Sequence, residues 1–148
     1  MVPAIVLVAV TLAARLAGWL GLPYADGWPS AIAVGLSAMF FVTGVAHFTP
    51  PRRDGLIAIV PPRLPAPGLL VTITGVLELL GAVGLLIPST RVAAAAWLFL
   101  LMLAMFPANV YAAGGKRGAH APNTPLVPRT LLQLLFLAAA AVVVAGGV

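Results

Sequence analysis

Five apolar stretches, each close to 20 residues long and separated by proline, glycine or charge, constrain this chain more than any other feature. They run from Pro3 to about Leu22, Ser30 to about Phe48, Leu69 to Ile87, Val92 to about Ala113 and Leu126 to about Ala145. A helix needs about 20 mostly apolar residues to cross the hydrocarbon of a bilayer. The runs are too long for strands and show no strict alternation, so nothing reads as β. The expectation is an all-α, polytopic membrane helix bundle with five spans, forming a single domain over residues 1–148.

Composition agrees with lipid as the main solvent. Only 7% of the residues are charged and 62% are hydrophobic, whereas a soluble domain carries roughly 25% charged residues. Mean hydropathy is +1.13. The absence of cysteine excludes disulfide exchange and thiolate metal sites. Net charge is +5, but the basic residues lie mostly between apolar runs. Loop placement of that kind reflects membrane topology, so membrane lipids and not nucleic acid are the expected partners. The first run lacks a basic leader segment and carries Arg15 near its far end. It is expected to be retained as a span and not cleaved.

The connectors differ in character. The first, Gly21 to Pro29, holds Tyr24 and Trp28, which suit a membrane–water interface. The second, residues 49–68, opens with Thr49-Pro50-Pro51, which stops the preceding helix because proline lacks an amide donor. Residues 54–60 are expected to form a short interfacial helical turn with Asp54 as its cap. Pro61 to Pro67 is expected to be an extended strap. Pro88 to Arg91 is so short that the third and fourth spans must form a tight antiparallel hairpin. With five spans, the amino terminus shares a side with the second and fourth connectors. Arg52, Arg53, Arg63, Lys116, Arg117 and Arg129 lie on that side. The positive-inside bias therefore predicts a cell-membrane protein with the N-terminus cytoplasmic, the C-terminus outside and 49–68 as a cytoplasmic connector.

Polar residues inside the spans are the candidates for function, since an ionisable group in mid-membrane costs several kcal/mol unless paired or turned inward. Arg15 lies about 18 Å into span one and Glu78 about 14 Å into span three at 1.5 Å per residue. The near match of depth predicts an Arg15–Glu78 ion pair. Thr74, Gly75, Gly81 and Ala82 share the face of Glu78, a stripe that lets another helix approach closely. Thr74, one turn earlier, is the expected hydrogen-bond donor to Glu78. On span two, Ser37, Phe40, Thr43, Gly44 and His47 fall on one face. Span four offers Asn109 just past Pro107, which frees the carbonyl of Leu103. Gln133 sits one turn beyond Arg129 in span five. The expected site is a pocket between spans two to five, floored by Glu78 and mouthed by His47 and Asn109. Bland roles weigh against it: a structural ion pair for Arg15 and Glu78, a headgroup contact for His47, an interhelical hydrogen bond for Asn109. Two histidines make no case for a metal.

Several short segments together resemble the DoxX-like membrane proteins. They are Gly44-Val-Ala-His47-Phe48, Val60-Pro-Pro62, Leu64-Pro-Ala-Pro67, Gly75-Val-Leu-Glu78-Leu-Leu-Gly81, Gly84-Leu-Leu-Ile-Pro88 and Phe106-Pro-Ala-Asn109. Each alone is weak, and their order and spacing carry the likeness, over about Ser30 to Ala113. The resemblance implies a four-helix core, with span one as an addition. It also implies kinship of that core with the emopamil-binding-protein superfamily, whose members bind sterol-like ligands through acidic residues. Some DoxX-like proteins belong to oxidoreductase systems, which implies redox subunits as partners. Without cysteine, the form of that role left open is binding of a quinone, isoprenoid or other lipid, with Glu78 exchanging a proton and His47, Asn109, Arg15 and Thr74 contributing to the site. Two other readings stay open: a structural subunit, homo-oligomer or small carrier pinned by Arg15 and Glu78, and an enzyme on a lipid substrate using Glu78 as catalytic acid–base.

Overall fold

A computed structural model describes residues 1–115 and 124–147. The chain forms α1 (Val2–Trp19), a 3-10 turn (Pro23–Ala25), α2 (Trp28–Ala46), α3 (Arg52–Ala58), α4 (Pro67–Leu86), α5 (Arg91–Ala113) and α6 (Leu126–Ala145). Among the described residues there is no strand, and five helices are long and apolar enough to cross a membrane. The second connector differs from expectation in detail. Its helix begins at Arg52, with Asp54 inside the first turn and Pro51 at the cap position. The strap ends where Pro67 opens α4, proline being preset for the first helical turn.

Four of the long helices close a ring. In order of contact it runs α2, α4, α5, α6 and back to α2. The helix α1 lies outside the ring and packs chiefly on α2. Small residues make this possible: Gly35 of α2 leaves the space that Thr11 and the Leu7 backbone of α1 occupy. With neighbours on three sides, α2 is the most enclosed element, burying Ala31, Ala33, Leu36, Met39 and Phe40. Leu85, Leu98 and Val143 complete the core from α4, α5 and α6. Outward-facing Leu, Val and Phe side chains, such as Leu80, Leu100 and Phe41, are exposed, as they are on any surface that faces hydrocarbon.

The glycine stripe of α4 serves two neighbours. A side chain at Gly75 would meet the His47 ring just past the end of α2, and one at Gly81 would meet Leu98 of α5. Ser37 donates to the Ala82 carbonyl over 2.7 Å, fixing the register of α2 against α4. At the end of the bundle away from α3, Gly146 packs on Pro29 and Gly147 on Val92. There α6 closes tightly on the starts of α2 and α5.

The same end holds two arginine clusters. Arg91 donates to Ser30 Oγ (2.9 Å) and to the Leu85 carbonyl (3.2 Å), and its guanidinium lies 5.0 Å from the Tyr24 ring centre. Tyr24 in turn donates to the Leu86 carbonyl. The first connector is thereby tied to the α4–α5 hairpin. Arg15 lies 4.8 Å from the Trp19 ring centre and 5.8 Å from that of Trp28, with Asp26 3.6 Å from its Nη1. This corrects the expected Arg15–Glu78 pair. Thr11 of α1 packs on Gly35 of α2, while Thr43 of α2 meets Glu78. Arg15 lies four residues past Thr11, and Thr43 eight past Gly35 the other way. Twelve residues at 1.5 Å each place Arg15 about 18 Å from the level of Glu78. Depth reckoned from helix starts fails because α4 begins well beyond the level at which α1 begins. Residues near Pro3, not Arg15, stand level with Glu78.

Candidate functional site

At the α3 end the ring opens into a cavity of about 490 Å³. Its apolar wall comes from Met39, Phe40, Met102, Met105, Leu132 and Phe136, on α2, α5 and α6. Val2 and Pro3 of α1 border it on one side, and Arg52 and Leu56 of α3 on another. Besides Arg52, the polar residues that line it are Thr43, His47, Glu78, Asn109, Thr124, Arg129 and Gln133. Three residues singled out from sequence, His47, Glu78 and Asn109, are thus brought to one cavity, together with Gln133. Arg15 and Thr74 do not line it. The Thr74 hydroxyl donates back to its own helix, to Leu70 O at 2.9 Å, as mid-helix threonines commonly do.

Glu78 is 5% exposed and His47 3%. Burial of an acid demands a partner. That partner is Thr43, whose Oγ1 donates to Glu78 Oε2 over 2.5 Å. Thr43 lies one helical turn before His47 on the same face of α2, a spacing that sequence alone offers as a signal. The other carboxyl oxygen, Oε1, lies 4.0 Å from His47 Nε2. That is beyond hydrogen-bond distance. On the far side of the ring, His47 Nδ1 lies 2.9 Å from the Thr43 carbonyl. A carbonyl oxygen only accepts, so Nδ1 carries the proton and donates.

His47 stands one residue past the end of α2, outside the span. Burial holds its imidazole below the ordinary histidine value; the hydrogen bond to Thr43 opposes this, and the Arg53 guanidinium adds to it. Arg53 is the staple of this corner. It donates to the His47 carbonyl (2.6 Å), the Gly68 carbonyl (3.2 Å) and Thr72 Oγ1 (3.0 Å). It thereby joins the end of α2, the root of α3 and the first turn of α4. A neutral His47 with its proton on Nδ1 turns the Nε2 lone pair toward Glu78.

The mouth is cationic and amide-rich. Arg129 donates through Nε to the Thr124 carbonyl (2.7 Å) and through Nη1 to Asn109 Oδ1 (3.3 Å). Asn109 therefore makes the interhelical contact weighed from sequence, and does so on the cavity wall. Gln133 Nε2 donates to the Met102 carbonyl over 2.8 Å, bracing α6 against α5. The acceptor used is the residue before Leu103, whose carbonyl Pro107 leaves unpaired by helix geometry. Among the described residues, no three His, Asp or Glu side chains gather as metal ligands would.

The arrangement can hold a molecule that is mostly apolar and carries a small polar group at one point. Comparison with the curated proteins and with the solved structures gave no match. A family model does match, over residues 36–145, from mid-α2 through the end of α6. It covers α4, α5 and α6 of the ring entirely and omits α1. By that match, the chain belongs to the family described as Domain of unknown function (DUF8561).

Proposed function

We propose that this chain is a multi-pass protein of the cell membrane that binds a hydrophobic ligand, of the quinone, isoprenoid or lipid class, in the cavity around Glu78. The observation that carries the reading is a buried carboxyl and a buried imidazole side by side in a cavity of about 490 Å³ whose wall is apolar and whose mouth is polar. An ionisable group inside a span, as Glu78 is, is rare and costly, and apolar cavities with a few convergent polar groups are the usual form of small-molecule sites. The resemblance of short segments to DoxX-like proteins would make α2, α4, α5 and α6 a core with α1 added, and service to an oxidoreductase system is the role that resemblance suggests. Arg52, Arg53, Arg63 and Arg129 at the α3 end, against Arg15 and Arg91 at the other, support a cytoplasmic α3 end. Lys116 and Arg117, counted toward the same side from sequence, lie outside the described residues.

The test is native mass spectrometry of protein extracted in mild detergent, wild type beside Glu78→Gln. A stoichiometric lipid-soluble adduct on the wild type, weakened in the variant, is expected. Protein that carries none, and takes up none from added isoprenoids, would sink the reading. For topology, a C-terminal reporter active only in the cytoplasm would reverse the orientation.

A structural role is the second reading, favoured by the Thr43–Glu78 hydrogen bond, which satisfies one oxygen of the acid without any ligand. Folded Glu78→Leu protein with unchanged cellular function would favour it.

A further inference from the structure

The polar corner of the cavity selects among ligand headgroups. We propose that the group held between His47 and Glu78 is a neutral hydroxyl, so that the ligand is a lipid alcohol or a quinol and not a ketone, quinone, amine or acid. This rests on the reading that the cavity binds a hydrophobic molecule at all, and narrows its quinone class to the reduced, quinol form.

The argument is one of donors and acceptors. His47 Nδ1 is committed to the Thr43 carbonyl, and Glu78 Oε2 accepts from the Thr43 hydroxyl. What remains is Nε2 of one residue and Oε1 of the other, 4.0 Å apart on side chains that both line the cavity. They are too far apart to bond each other. An oxygen placed about 2.8 Å from each closes the gap with an angle of about 90° at that oxygen, within the range a hydroxyl uses. With Glu78 ionised, the hydroxyl donates to Oε1 and Nε2 is left without a donor. With Glu78 neutral, it accepts from Oε1–H and donates to Nε2. A hydroxyl therefore makes one hydrogen bond when the acid is ionised and two when it is neutral, where a carbonyl oxygen makes none and one.

The alternatives fail in at least one state. A ketone or quinone oxygen only accepts. It faces two acceptors when Glu78 is ionised, and it leaves Nε2 unpaired when Glu78 is neutral. A carboxylate or phosphate faces the same acceptors and adds charge repulsion from an ionised Glu78. An ammonium could donate to both atoms. It would bring a cation past Arg52 and Arg129 at the mouth, beside Arg53 at the His47 carbonyl, into an apolar enclosure where an incompletely paired charge is costly. The apolar wall of Met39, Met102, Met105 and Phe136 then takes the hydrocarbon part, and methionine adapts to chains of varied shape.

The test uses four probes with one tail: farnesol, farnesyl methyl ether, farnesal and farnesylamine. Each is titrated against the full-length wild-type chain in detergent micelles, with binding read by native mass spectrometry. Farnesol is expected to bind about tenfold or more tightly than the ether, the aldehyde or the amine, the loss that follows when a buried polar group goes unpaired. His47→Phe should weaken farnesol toward the ether's affinity while leaving the ether unchanged. If the aldehyde or the amine matches farnesol on wild type, the hydroxyl assignment is overturned while the cavity reading survives. If farnesol and its ether bind equally, the corner holds no headgroup and the assignment fails again. If no probe binds, the cavity reading itself fails. The wild-type comparison decides the matter even if His47→Phe does not fold.

Discussion

Thr43 and Glu78, 35 residues apart in the chain, are joined by a 2.5 Å hydrogen bond between α2 and α4, and the same threonine's carbonyl orients the ring of His47. One residue thus supports both titratable groups of the cavity, the acid through its hydroxyl and the base through its main chain. Replacing it separates the two supports, because valine keeps the carbonyl and the shape but not the hydroxyl. Thr43→Val is expected to destabilise the protein by about 1–3 kcal/mol, the cost of leaving a buried polar group unmade. The measure is the unfolding midpoint in detergent. The double variant Thr43→Val with Glu78→Leu, in which neither group is left orphaned, should recover part of that loss. A double variant less stable than the sum of both single losses would contradict the pairing.

Arg15 and Glu78 should be energetically independent. A double-mutant cycle on stability with Arg15→Gln and Glu78→Gln is expected to give no coupling within error, as for sites more than 7–10 Å apart without shared partners. The Arg15–Asp26 cycle should give a coupling of at most about 1 kcal/mol, since the aspartate is exposed. A large Arg15–Glu78 coupling would mean that α1 sits about three turns from where the contacts of Thr11 with Gly35 place it.

Gly81 is a packing position. A side chain there runs into Leu98, whose own side chain is fully buried. Gly81→Ala is expected to cost about 1–3 kcal/mol through overpacking, with partial rescue by Leu98→Ala. Thermal stability of the single and double variants checks it; a neutral Gly81→Ala would show that α4 and α5 can part at no cost.

Ala66 precedes Pro67 with φ at 49°, in the left-handed region that favours glycine. Ala66→Gly removes the Cβ that penalises this conformation and is expected to stabilise the protein by up to about 1 kcal/mol, net of glycine's greater freedom in the unfolded chain. A lower unfolding midpoint would show that the turn does not need that conformation.

The legible part of this molecule was the part written in apolar periodicity and in loop punctuation. Each of the five runs became a long helix with ends within about three residues, because proline and glycine at the connectors leave little choice of boundary. His47, Glu78 and Asn109 could be brought to one cavity from sequence because His47 and Asn109 lie at the same end of α2 and α5, and Glu78 sits mid-helix on the small-residue face of α4 that turns inward. What sequence could not supply was the axial offset between helices. The register of α1 on α2 is set by Gly35 and Thr11, and that of α2 on α4 by Ser37 on the Ala82 carbonyl. Neither contact is written in the length of a run. The expected contacts of Arg15 and of Thr74 with Glu78 failed on that offset and on a hydroxyl's preference for its own helix.

The polar contacts of α2 also bear on the order in which the bundle is built. Ser37 and Thr43 find their partners on α4, 45 and 35 residues later. The chain order puts α2 ahead of α4, so until α4 joins it both hydroxyls of α2 have only their own helix to bond. Its other neighbour, α1, is already there and meets it through an adjacent, low-cost hairpin. The outlying helix is then the first companion of the central one, and it shelters α2 during synthesis until the ring can close around it.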